Sequence, residues 1–74
     1  MAIRVQFEIN EGKFKELEEL MKKVGIKTKK DLLNNALTLL EWAVNERKAG
    51  RIIASIDEEE QKYKEVIMPI LSNV

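Results

Sequence analysis

Gly25-Ile26-Lys27-Thr28-Lys29-Lys30-Asp31-Leu32-Leu33-Asn34-Asn35-Ala36-Leu37 contains a helix stop and a helix start side by side. Glycine terminates helices because it enters the left-handed region without a Cβ clash. Thr28 is placed as an N-cap, and Asp31 three residues on gives a capping box in which a shorter acid replaces the usual Glu or Gln. The stretch therefore predicts a first helix ending at Gly25 and a second one opening just after Thr28.

Reading forward, Leu33, Ala36, Leu37, Leu40, Ala43 and Val44 form an apolar stripe at helical spacing, widened by Leu32 and Leu39. This second helix should run to Ala49 before Gly50 ends it. So wide a stripe implies burial against more than one neighbour. Trp42 lies off its centre and reads as an edge-of-core aromatic, with a partner surface as the alternative. Reading backward, Phe14, Leu17, Leu20, Met21 and Val24 recur at three- and four-residue steps, and Asn10 is placed to cap the helix that carries them. Glu11 favours its first turn through the macrodipole, and Gly12 weakens it slightly.

Before that helix, Ile3, Val5, Phe7 and Ile9 alternate with Arg4, Gln6 and Glu8, the pattern of a half-buried strand over residues 3–9. After the second helix the chain changes character. Residues 51–56 are rich in isoleucine and read as a short strand or arm. Asp57 with Glu60 then forms a second capping signal, predicting a short helix with Tyr63, Val66, Ile67 and Ile70 on its apolar side until Pro69 ends or kinks it. The expected division is residues 1–50 as one domain and residues 51–74 as an extension.

The chain has 74 residues and neither cysteine nor histidine. That length holds one core at most, and with disulfides and the usual zinc sites excluded, association with a second copy is the remaining common support. A hydrophobic content of 45%, arranged periodically, argues for a folded chain. No apolar run approaches a membrane span, and the first residues lack the basic and apolar regions of a secretory signal, so the expectation is a cytoplasmic protein without membrane contact. Ser55 and Ser72 have no base in evidence, no glycine-rich phosphate loop occurs, and Glu58-Glu59-Glu60 reads as a first helical turn. No catalytic residue, metal site or cofactor is expected.

Formal net charge is zero, but charge is unevenly placed. Residues 1–50 carry ten Lys and Arg against eight Asp and Glu, and residues 51–74 three against five. Lys22, Lys23, Lys27, Lys29 and Lys30 fall together with no acid among them. A solvated surface patch is the bland reading of this cluster; an anion-binding patch is the sharper one.

A lone strand needs a partner for its backbone and its apolar side, and the symmetric solution is the same strand from a second copy. With the order strand, helix, glycine turn, capped helix, residues 3–48 resemble the ribbon-helix-helix superfamily of the Arc, MetJ and CopG-type regulators. The junction quoted above, with its glycine, hydrophobic residue, Thr cap, acid, paired aliphatics and Ala-Leu, carries most of the resemblance. It implies a mostly α intertwined homodimer with an N-terminal two-stranded antiparallel ribbon, followed here by a short strand and helix. It also implies a sequence-specific regulator, a repressor of transcription, that binds double-stranded DNA.

On that reading Arg4, Gln6 and Glu8 face the bases in the major groove, where Arg suits guanine, Gln suits adenine, and Glu accepts from a cytosine amino group but repels phosphate. Lys27, Thr28, Lys29 and Lys30 would hold phosphate at the start of the second helix. An antitoxin whose residues 51–74 clasp a toxin protein is the alternative. A dimerisation module without DNA binding, suggested by Glu8 and the zero net charge, is the third reading. The arm at residues 52–56 has three open placements: pairing with its symmetry mate, covering the helices, or joining neighbouring dimers.

Overall fold

The structure, a computed structural model, describes residues 1–74. Its elements in order are helix α1 (Glu11–Val24), helix α2 (Lys29–Lys48), strand β1 (Ala54–Asp57), strand β2 (Lys62–Glu65) and a closing 3-10 helix (Pro69–Asn73). Two units are distinguishable, Met1–Leu32 and Leu33–Val74.

In the first unit the capping chemistry sets the ends of α1. The Asn10 side chain accepts from the Lys13 backbone N–H at 2.8 Å, satisfying one of the donors a helix start leaves open. At the other end Gly25 adopts φ 73°, its N–H donates to the Lys22 carbonyl and the Ile26 N–H donates to the Met21 carbonyl, which closes the last turn. No atom lies within 4 Å of a Cβ built on Gly25, so the need for glycine is purely one of backbone conformation. Gly25→Ala is accordingly expected to cost about 1–2 kcal/mol, the left-handed penalty for a residue with a Cβ. Urea unfolding measures it, and an unchanged midpoint would refute the assignment.

In the second unit α2 ends at Gly50, with φ 80°, whose N–H donates to the Arg47 carbonyl while the Arg51 N–H reaches the Glu46 carbonyl. The Arg51 guanidinium bonds the Glu46 carboxylate at 3.0 Å, tying the departing chain back to the helix. β1 and β2 then pair antiparallel, with Ala54 opposite Glu65, Ser55 opposite Lys64, Ile56 opposite Tyr63 and Asp57 opposite Lys62.

Two sequence expectations are corrected here. The predicted strand over residues 3–9 does not form: the strands follow the helices, and the N-terminal ribbon and strand-first order of a ribbon-helix-helix architecture are not what this chain folds into. An alternating segment becomes a strand only along a partner's ladder, and the hairpin is the sheet the chain builds. The predicted short helix after Asp57 is also replaced, by the hairpin turn and β2. The Asp57 carboxylate does accept from the Glu59 and Glu60 backbone N–H groups, at 3.1 and 3.2 Å, but Gln61 then enters the left-handed region at φ 53° and the chain reverses.

Burial is sparse. Met21 is the one buried hydrophobic residue of the first unit, and Ala43 and Leu71 are those of the second. The alternating Ile3, Val5 and Phe7 are exposed, as are Leu33, Leu37, Leu39 and Trp42 on α2. The burial against more than one neighbour that the wide stripe implied is not found within the chain, where Ala43 is the one buried residue of α2.

Candidate nucleic-acid interface

The lysine cluster is built around the junction between the helices. Lys22 and Lys23 occupy the last turn of α1, where a positive charge complements the helix dipole. Their position has a structural explanation. Lys29 and Lys30 do not share it, because they open α2, where the positive end of the dipole disfavours them. Thr28 Oγ1 accepts from the Asp31 N–H at 3.1 Å, so the cap is satisfied by the side chain the sequence assigns to it. Lys29 Nζ lies 5.3 Å from the centre of the Phe14 ring, a cation–π contact that steadies the ammonium without neutralising it.

The ion pairs of the chain are Lys13 with Glu16, Arg51 with Glu46 and Lys62 with Glu60. None involves a lysine of the cluster. Lys22, Lys23, Lys27, Lys29 and Lys30 are all exposed residues of the first unit.

The second group of predicted residues lies in the segment before α1. With its amide oriented to suit its neighbours, the Gln6 oxygen accepts from Arg4 at Nε, 3.3 Å, and at Nη2, 3.1 Å. The contact joins two side chains two positions apart in a segment that forms no strand. Glu8 is not drawn into this pair. It lines an open groove with Ile9, Asn10, Lys13 and Leu17. No hydrogen bond or ion pair joins the Arg4–Gln6 pair to the lysine cluster.

The role of Phe14 under Lys29 was not read from the sequence, where Phe14 counted only as a member of the apolar stripe. The signal was spacing across the turn, which periodicity within one helix does not carry. No helix is long and apolar enough to cross a membrane. Comparison with family models, curated proteins and solved structures finds no match.

Proposed function

We propose that this chain works as a homodimer that binds double-stranded DNA and regulates transcription as a small repressor, with Arg4, Gln6 and Glu8 meeting base edges and Lys27, Thr28, Lys29 and Lys30 meeting phosphate. One observation carries the reading. Lys29 and Lys30 sit in the first turn of α2 with no carboxylate partner, against the helix dipole, an arrangement that an incoming anion makes favourable. Free backbone N–H groups in that turn add donors for a phosphate oxygen.

Homodimerisation is supported by the surface left uncovered. Apolar residues stand exposed in each unit, Ile3, Val5 and Phe7 in the first and Leu33, Leu37, Leu39 and Trp42 in the second.

Selection from random-sequence duplexes at two salt concentrations tests the proposal. An enriched near-palindromic site with binding that weakens as salt rises is the expected result. Salt-insensitive or absent binding would leave the chain as a dimerisation module, the reading that Glu8 and the zero net charge favour.

A second reading, an antitoxin whose residues 51–74 hold a toxin protein, is favoured by the uncovered apolar side of the hairpin, where Ile56 and Tyr63 are exposed. In it DNA binding is retained and the tail has a separate partner.

A further inference from the structure

The hairpin of the second unit has two edges of different chemistry. Cross-strand partners share a side, so Ala54, Ile56, Tyr63 and Glu65 line one side while Ser55, Asp57, Lys62 and Lys64 line the other. Ile56 and Tyr63 are 68% and 55% exposed, so the second unit leaves this apolar side open. A two-stranded hairpin alone is marginal in water and gains stability from further strands or from packing on its apolar side. The free edge of β2 carries Lys62, Lys64 and Glu65, charges of the kind that deter strand addition. β1 carries a single charge, Asp57, at its last position. Ahead of Asp57 the segment reads Ile52-Ile53-Ala54-Ser55-Ile56, without charge and without proline.

The backbone on that edge is equally available. Val66 N–H donates to the Ile53 carbonyl at 2.7 Å, which extends the pairing one step beyond Ala54 and Glu65. In the alternation of an antiparallel ladder, Ile53, Ser55 and Asp57 then turn their N–H and C=O groups toward β2. Ile52, Ala54 and Ile56 turn theirs outward, and the sheet has no third strand to receive them. The edge pattern is also symmetric about Ala54, with isoleucine two positions away on either side.

We propose that β1 pairs along this edge with β1 of a second copy, antiparallel about Ala54, to give a four-stranded sheet. In that register Ala54 faces Ala54 of the second copy and Ile52 faces its Ile56. All outward groups of the three residues find partners. Ile52, Ile56 and Tyr63 of both copies form one continuous apolar side. A second copy is the fitting occupant because a twofold interface must be self-complementary, which this edge is. The inference rests on self-association and is independent of DNA binding.

The test uses the full chain without DNA. Because the protein has no cysteine, Ala54→Cys places a single thiol on the proposed twofold axis. Directly opposed residues of this kind have Cα atoms about 5.5 Å apart, within disulfide range. Mild oxidation is expected to convert A54C to a covalent dimer, while K64C on the far strand stays uncrosslinked. Ile52→Lys with Ile56→Lys, introduced together, should halve the mass read by sedimentation, with helix content by circular dichroism unchanged. Absence of the A54C dimer would overturn the proposal. So would a double-lysine variant that keeps its helix content and the parent mass, or a parent chain that is monomeric, which would leave the edge to a different protein.

Discussion

Arg4→Ala combined with Gln6→Ala is expected to abolish selection of a preferred site while leaving salt-sensitive binding to arbitrary duplex in place. A well-placed bidentate contact to a base contributes about 1–3 kcal/mol of discrimination. Two readers in each of two subunits make four such contacts, so even the lower limit gives roughly 4 kcal/mol, about a thousandfold in affinity ratio. The lysines of the junction are untouched by the change, and the sequence-independent part of binding should persist. Competition of a selected site against random duplex, followed by fluorescence anisotropy, reads both quantities at once. If the variant enriches the same site as the parent, Arg4 and Gln6 are not the readers, and their mutual hydrogen bonds are only a surface contact.

Lys27, Lys29 and Lys30 changed together to Gln should have the opposite signature. Affinity is expected to fall almost uniformly across sequences, because phosphates are alike at every site. Three lysines in each of two subunits correspond to six phosphates, and at about 0.9 per phosphate the slope of log affinity against log salt should shrink by about five. Helix content should hold or rise slightly, since removing positive charge from the first turn of α2 relieves its opposition to the dipole. An unchanged slope would return the cluster to the role of a solvated patch. Together the two variants separate reading from anchoring, which a single loss of binding would not do.

The sequence alone determined the parts of this protein that are decided within a few residues. Asn10, Gly25, Thr28 and Gly50 mark helix ends because capping is a contact between near neighbours, and each acts where its type and spacing predict. The lysine cluster was legible for the same reason: charge and helix position are both local. The contact of Lys29 with Phe14 was not, because it crosses a turn between two helices.

What only the tertiary structure decided is which segment finds a strand partner. Alternation at residues 3–9 states a preference for extended backbone, yet a strand exists only where a second one completes its hydrogen bonds. The two short strands of β1 and β2 lie four residues apart in sequence and need little loop closure, so the ladder forms there. The same logic settles the segment after Asp57. Its carboxylate caps the Glu59 and Glu60 N–H groups equally well at the start of a helix or in a tight turn. A helix would have met Pro69 within about three turns, a length that is marginal without packing. With β1 alongside, residues 62–65 gain a hydrogen-bonded partner at once. A local signal common to two structures is resolved by the neighbour that one of them supplies.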